Sequence, residues 1–193
     1  MNQSKKLLML ITTALFAAII GVLAQVVIPL PLIPITGQTL AIGLAATILG
    51  SRYGTISTLL YISMGAIGIP VFSQMTGGLG IVFGPTGGFI VGFIPAAFII
   101  GYYIEKSSYT VTNAFIANLI GMIITLTFGT AWLKISANLS WTTAFFSGFA
   151  PFVIVGILKA FLAGWVGILV RKRLIAANIL INPSRHSFTR RKT

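Results

Sequence analysis

The sequence predicts an all-α integral membrane protein, a bundle of six transmembrane helices with both termini in the cytoplasm. Of its 193 residues, 56% are hydrophobic and only 7% are charged, and the mean hydropathy is +1.02. Soluble domains carry about 25% charged residues, so little of this chain is expected outside the bilayer. The net charge of +12 is also unevenly distributed, which indicates the orientation of the helices.

Six apolar segments are predicted to cross the membrane. About 20 helical residues cover a hydrocarbon core of roughly 30 Å. The predicted crossings span residues 7–28, 38–50, 55–69, 89–104, 111–132 and 151–170. The second and third are short, and the stretch Gly50–Gly54 between them predicts a tight polar turn. Short spans are tolerated where other parts of the protein cover them.

Basic residues indicate which side of the membrane each connection occupies. With six crossings, almost all of them fall on the side of the two termini, and only Lys134 falls on the other. This bias predicts cytoplasmic termini. We expect residues 1–173 to form one membrane domain and residues 174–193 to form a basic, mobile tail. Attraction to anionic lipid is the commoner role of such a tail, and binding of RNA is the alternative.

A single charged residue, Lys159, stands within the last apolar segment. It lies eight residues after Pro151 and eleven before Val170, so it is about 12 Å or more from both ends of the helix. The chain has no aspartate, and its one acid, Glu105, falls outside the apolar segments. Charges within the membrane commonly mark substrate or ion sites. We expect a ligand anion to pair with Lys159; the alternative is a lysine satisfied by carbonyl groups or water.

Two connections differ from ordinary solvated loops. Residues 28–38 contain three prolines, which favour extended backbone, and residues 70–88 are rich in glycine, which lets backbone approach a bound molecule. Both contain apolar side chains, and both are predicted on the face opposite the basic residues. An outward-facing pocket roofed by these loops, with Lys159 below, would suit an amphipathic carboxylate.

Most enzymatic functions are disfavoured by what the sequence lacks. It contains no phosphate-binding G-x-x-x-x-G-K-[ST] motif and no H-E-x-x-H motif, and its one histidine, His186, lies in the basic tail. With a single acid, paired acid–base catalysis has no candidate residues. Proton-coupled carriers generally use acids or histidines inside the membrane. These observations favour a protein that binds a ligand without an energy source of its own.

Several motifs resemble those of a known family. The sequence GAIGIPVF at 65–72, followed by GPTGGF at 84–89, resembles the signature of BioY proteins. These are the biotin-specific substrate-binding (S) components of energy-coupling factor (ECF) transporters. The stretch PLIPITGQT at 31–39, the helix with Tyr61 and the segment from Pro151 to Ala160 fit in the same order. The likeness extends over residues 7–173.

The resemblance implies a function and a set of partners. It implies a non-enzymatic, multi-pass protein of a prokaryotic plasma membrane that captures biotin from outside with high affinity. Transport would then require a transmembrane coupling protein and two cytoplasmic ATPases. No cofactor is implied, because biotin is the cargo. Ala14 and Ala18 resemble the small-residue motif through which S components dock to the coupling protein.

The resemblance also implies roles for individual residues. Lys159 corresponds to a lysine that contacts biotin, and we expect it to meet the carboxylate. The candidates for the ureido and thiophane rings are Gln38, Tyr61, Phe72, Thr86 and Asn118. Taken singly, each of these residues also has an ordinary structural explanation. Tyr61 could simply pack within the bundle, and Thr86 could simply form a turn. Gly156 departs from the family, which usually has an aspartate three residues before the lysine. That change could free the lysine for a carboxylate or alter affinity or selectivity.

Three other functions remain open from the sequence. An S component for another small vitamin would share the fold but need a differently polar pocket. A serine–lysine membrane enzyme would use Lys159 as a base beside a serine. A structural partner protein would use its glycine-rich loops only for packing.

Overall fold

The computed structural model describes residues 3–180, which are mostly α-helical. The elements in chain order are α1 (Gln3–Leu23), β1 (Val27–Ile28), β2 (Ile35–Thr36), α2 (Gln38–Ala66), a 3-10 turn (Ser73–Met75), α3 (Leu79–Phe83), α4 (Gly87–Lys106), α5 (Val111–Ser136), α6 (Trp141–Gly148) and α7 (Ala150–Ala176). Four segments are long and apolar enough to cross a membrane: Gln3–Leu23, Gly87–Lys106, Val111–Ser136 and Trp141–Ala176. The predicted basic tail falls largely on residues 181–193, including His186, which lie outside the described residues.

Helix α2 consists of two arms that fold back on each other at Gly50. In a straight helix, Gln38 and Tyr61 would be about 34 Å apart, yet the Gln38 side chain donates a hydrogen bond to the Tyr61 hydroxyl. Gly50 alone leaves helical geometry, with φ 83° and ψ −176°, a conformation that favours glycine. The predicted turn is therefore present but shorter than expected, because residues 51–54 already belong to the second arm.

At the other end of the bundle, one predicted helix boundary was wrong and one short helix was not predicted. Helix α1 ends at Leu23 rather than Ile28, because Val27 pairs with Thr36 and Ile28 with Ile35 in a short antiparallel hairpin. Its tip contains the three prolines, which cannot continue a helix. Helix α6 was not predicted, since it is only eight residues long. Ser140 caps this helix by accepting a hydrogen bond of 3.1 Å from the Thr143 amide.

Small residues allow the long helices to approach closely. Gly88 lies against Trp132, where a Cβ atom would be 2.1 Å from the Trp132 Cβ, and Gly164 packs against the backbone of Phe115. These contacts join α4 to α5 and α7 to α5, as small residues do in membrane bundles. Ala14 and Ala18 are different, because both are exposed on one face of α1.

The bundle has two chemically distinct ends. One, here called the basic end, contains the start of α1, the Gly50 turn, the α4–α5 connection and the end of α7; side chains from all four line one cavity there. The other, here called the loop end, contains the β1–β2 hairpin and the connection between α2 and α4. Seven basic residues lie at or beside the basic end: Lys5, Lys6, Arg52, Lys106, Arg171, Lys172 and Arg173.

The Gly50 turn yields a test of the fold. We expect Gly50→Ala to lower the free energy of unfolding by about 1–3 kcal/mol, since a non-glycine residue is strained at this positive φ. In addition, its Cβ would lie 2.2 Å from a Glu105 carboxylate oxygen. Thermal unfolding of the detergent-purified variants measures this. Gly80→Ala is the matched control, because open space surrounds Gly80; equal unfolding temperatures for the two variants would contradict the assignment.

Candidate ligand-binding site

Two adjoining cavities lie at the loop end and share the Lys159 side chain. Both are also lined by Thr39, Phe93, Thr125, Leu126 and Phe152. The first opens toward the loops and adds polar groups from the β1–β2 hairpin and the α2–α4 connection, among them Thr36, Gln38, Ser73 and Thr86. The second extends between α4, α5 and α7 and is almost entirely apolar. The predicted pocket beneath the two loops is therefore present. Its first cavity, here called the polar compartment, has more polar groups in its otherwise apolar lining than the second, here called the apolar compartment.

Lys159 is half-buried and directed into these cavities from α7. Its ammonium group donates to the Thr36 carbonyl oxygen at 2.6 Å and to Thr39 Oγ1 at 3.2 Å. The Thr36 carbonyl and the Thr39 hydroxyl are neutral acceptors, so they leave the positive charge uncompensated. Among the described residues, Lys159 is the one charged side chain that lines either cavity. Carbonyl and hydroxyl groups therefore hold the lysine, whose charge faces the cavity, and its pairing with a ligand anion stays a prediction.

A short chain of hydrogen bonds orients the amide of Gln38. The Thr36 hydroxyl donates to Gln38 Oε1 at 2.9 Å, and Gln38 Nε2 donates to the Tyr61 hydroxyl. Gln38 lines the first cavity, whereas Tyr61 is fully buried behind it and lines neither. Tyr61 therefore affects the site indirectly, by holding the Gln38 amide in place.

Phe72 forms part of the apolar wall of the first cavity. Its ring is 1% exposed and meets the Tyr61 ring edge-on, with the centroids 5.6 Å apart. Gly65 makes this position available, because a Cβ there would lie 2.2 Å from the Phe72 ring. The Gly65 and Phe72 of the GAIGIPVF motif therefore act as a pair, in which the glycine clears space for the aromatic ring.

Thr86 and Asn118 occupy different compartments. Thr86 lines the first cavity immediately before α4 begins. Asn118 lines the second, but its amide nitrogen already donates to Thr47 Oγ1 at 2.9 Å and to the Ala114 carbonyl at 2.8 Å. The five ring-binding candidates are thus divided, with three in the polar compartment, one in the apolar compartment and Tyr61 behind them.

Gly156 also borders the apolar compartment. A Cβ atom at this position would lie 2.3 Å from the Met122 sulfur. The thioether of α5 therefore occupies the space into which a larger side chain on α7 would extend. This contact keeps the compartment apolar one helical turn from Lys159.

Two side chains form hydrogen bonds to the glycine-rich connection between α2 and α4, residues 67–86, which is here called the roof of the site. Gln25, just after α1, donates to the Phe72 carbonyl at 3.0 Å and accepts from the Met75 amide at 2.9 Å. Trp132 Nε1 in α5 donates to the Gly84 carbonyl at 2.9 Å. The roof is thus held at both ends by hydrogen bonds to its backbone.

Sequence reasoning missed several of these residues. Gln25 and Trp132 lie in or beside predicted helices and gave no periodic or motif signal, because their partners are backbone groups 47 or 48 residues away. Thr39 lies 120 residues from Lys159 in the sequence, and its place in the PLIPITGQT stretch was the one available clue. The aromatic lining from Phe89, Phe93 and Phe152 resembled ordinary helix packing in the sequence.

Taken together, this arrangement defines a membrane-embedded ligand-binding protein. The site has one cation, oriented amide and hydroxyl groups, and aromatic walls, which are the features of a small-molecule pocket. The acceptors that Lys159 contacts are a carbonyl and a threonine hydroxyl, not a serine, so the geometry does not support the serine–lysine alternative.

Comparison with known proteins identifies the family. The BioY family profile matches residues 1–176, and the chain belongs to this family. It is a family of transporter components rather than enzymes. The resemblance noted in the sequence is therefore confirmed.

Individual relatives extend the likeness over almost the whole chain. Biotin transporter BioY2 of Lactococcus lactis is 42% identical over 176 residues, which cover 91% of this chain and 97% of that protein. Biotin transporter BioY of Rhizobium etli is 38% identical over 82% of this chain and 90% of its own. A crystal structure of the S-component for biotin from an ECF-type ABC transporter superposes with a TM-score of 0.83 at 29% identity, covering 89% and 95% of the two chains.

The fastening of the roof by Gln25 can be tested without a ligand. We expect Gln25→Ala to increase hydrogen exchange at the Met75 amide and its neighbours by about two- to twelve-fold, since a hydrogen bond contributes a net of about 0.5–1.5 kcal/mol. Hydrogen-exchange mass spectrometry of peptides covering residues 70–84 measures the change. Gln74→Ala is the control, because Gln74 lies exposed in the same segment. Unchanged protection in Gln25→Ala would show that the loop is held by packing alone.

Proposed function

We propose that this protein is the biotin-capturing S component of an ECF-type transporter. The observation on which the proposal chiefly depends is Lys159, a cation without an acidic partner in a cavity with one polar and one apolar compartment. Membership of the BioY family and likeness to a biotin S-component support it. The alternative of another small vitamin is tested by the same binding experiments.

The carboxylate of biotin is assigned to Lys159. An anion near this ammonium group would form a charge-assisted hydrogen bond, which is stronger than a neutral one. The low polarity of the surroundings strengthens the attraction relative to water. An ammonium group has three donors, and the protein engages two of them through Thr36 and Thr39, so one donor remains for a carboxylate.

The ring system of biotin is assigned to the polar compartment. A ureido group presents N–H donors and a carbonyl acceptor, and Gln38 and Thr86 offer complementary groups. Phe72 provides an apolar face for the thiophane ring. Tyr61 contributes by orienting Gln38 and packing against Phe72, and Asn118 by shaping the apolar compartment.

Gly156 is assigned to selectivity for a carboxylate. An aspartate at this position would lie one helical turn from Lys159, where an ion pair could form. With glycine there, the charge of the lysine is left for the ligand. The contact with Met122 fills the space that an acidic side chain would need.

The protein is proposed to cross the plasma membrane of a prokaryote six times. The two arms of α2, residues 38–49 and 51–66, add two short crossings to the four long apolar segments. The first arm is largely buried by other helices, and the second is buried along one face while Leu59 and Leu60 remain exposed. Cover of this kind makes short spans tolerable. The basic end would then be cytoplasmic, the loop end would face outward, and residues 1–173 would form the membrane domain.

The energy for transport is proposed to come from partner proteins. Ala14 and Ala18 face outward from α1 and form a small-residue stripe against which another helix could pack closely. The proposed partner at this stripe is a transmembrane coupling protein, which would connect the S component to two cytoplasmic ATPases.

Two ligands that differ in charge can distinguish the electrostatic role of Lys159 from its structural role. We expect Lys159→Met to weaken binding of biotin about ten- to a hundred-fold, which is the usual loss for a charge-assisted hydrogen bond, and to leave binding of the neutral biotin amide almost unchanged. Isothermal titration of the detergent-purified protein with both ligands measures this difference. Lys134→Met is the control, because Lys134 stacks on Trp141 outside the cavities.

Each alternative predicts a different titration result. Equal losses for biotin and its amide would assign Lys159 a structural role. A wild-type protein that binds a different vitamin more tightly than biotin would overturn the biotin assignment.

The docking stripe has its own test. We expect Ala14→Trp and Ala18→Trp to reduce biotin uptake at least ten-fold in cells that supply the coupling protein and ATPases, because an indole prevents close helix approach. Binding by the purified variants should remain normal. Leu158→Trp is the control, since Leu158 is an exposed residue on α7. Uptake at the control's level in both alanine variants would place the docking surface elsewhere.

A further inference from the structure

The basic end contains a cavity that the proposed transport function does not use. It lies between the start of α1, the Gly50 turn, the α4–α5 connection and the end of α7. Its lining consists of Met9, Leu49, Arg52, Tyr53, Glu105, Tyr109, Arg171 and Leu180, none of which lines the site around Lys159.

Arg171 is the unusual residue of this cavity. It is only 6% exposed, and its guanidinium carbon lies 3.7 Å from the centroid of the Tyr109 ring. One guanidinium nitrogen, Nη1, donates to the Ile48 carbonyl, whereas Nε has no acceptor among residues 3–180. Buried guanidinium groups are normally paired with an anion. Arg171 is therefore a buried cation that lines an open cavity and has an N–H donor without an acceptor among the described residues.

Among residues 3–180, the nearby carboxylate of Glu105 attracts Arg171 but forms no direct ion pair with it. Glu105 instead accepts hydrogen bonds from the Ser51 amide at 2.8 Å and from the Ser51 hydroxyl at 2.7 Å. Arg52 adds a second guanidinium on the exposed side, where it lies 5.7 Å from the Tyr53 ring centroid. Two guanidinium groups and one carboxylate give the lining a net charge of +1.

The remaining groups suit an oxyanion at a lipid boundary. Burial raises the pKa of the Tyr109 phenol, although Arg171 opposes the shift, so the hydroxyl stays protonated and can donate. Guanidinium groups match the geometry of phosphate oxygens. Met9, Leu49 and Leu180 supply apolar surface beside the charges. Basic pockets between transmembrane helices on the cytoplasmic side are typical sites for phospholipid headgroups.

We propose that this cavity binds the phosphate group of an anionic phospholipid. The headgroup would contact Arg52 and Arg171, and it would hold together α7, the Gly50 turn and the α4–α5 connection. The shared chemistry is a phosphate oxyanion, for which a free phosphate ion is the other possible source.

Native mass spectrometry of the full chain can test the proposal. The protein is released from nanodiscs of phosphatidylcholine mixed with phosphatidylglycerol, and the lipids retained are counted. Wild type should retain phosphatidylglycerol selectively, and Arg52→Gln should reduce that retention about five-fold, as expected for one basic residue near an anionic headgroup. Lys106→Gln is the matched control, because Lys106 is a basic residue of the same end that lies over Tyr102 outside the cavity.

The control and a second readout distinguish the outcomes. Equal retention of the two lipids by wild type, or equal losses in Arg52→Gln and Lys106→Gln, would overturn the proposal in favour of diffuse attraction to the surface. Thermal unfolding in phosphatidylcholine nanodiscs with added inorganic phosphate identifies the source. Stabilisation matching that by phosphatidylglycerol, and lost in Arg52→Gln, would assign the site to the free ion and overturn the lipid assignment.

Discussion

The position of one ammonium group organises the ligand-binding end of this protein. Lys159 joins α7 to the junction of β2 and α2, through the Thr36 carbonyl at the end of β2 and the Thr39 hydroxyl at the start of α2. A charge at this depth is costly unless polar groups surround it, so the backbone between the hairpin and α2 must lie beside it. The polar compartment exists because that segment is held there.

The other residues of the site are held in place by side chains that do not themselves line the cavities, namely Tyr61, Gln25 and Trp132. The Gly50 turn brings the second arm of α2 against the first, which places Tyr61 behind Gln38 and beside Phe72. Gln25 and Trp132 hold the roof by its backbone. Sites are more precise when a supporting layer restrains the residues that meet the ligand.

Opposite ends of the bundle treat charge differently. At the loop end, a lysine meets only neutral protein groups, which favours an anionic ligand. At the basic end, Arg171 is stacked and only partly hydrogen-bonded, while the one acid caps the Gly50 turn. Both ends therefore contain a cation without a direct ion pair among the described residues, and we assign one to a cargo carboxylate and the other to a lipid phosphate.

The sequence alone determined the class of the protein, most of its helices and the position of one charge, Lys159, within an apolar segment. These follow from composition, the length of apolar runs and the presence of one lysine within such a run, all of which can be read locally from the sequence. The motifs GAIGIPVF and GPTGGF were also sufficient for the family. The tertiary structure decided which side chains meet: that Tyr61 stands behind Gln38, that Asn118 belongs to another compartment, and that Gln25 fastens a loop 47 residues away. Such contacts depend on the fold-back at Gly50 and on helix packing, and no local pattern encodes the distance between residues on different helices.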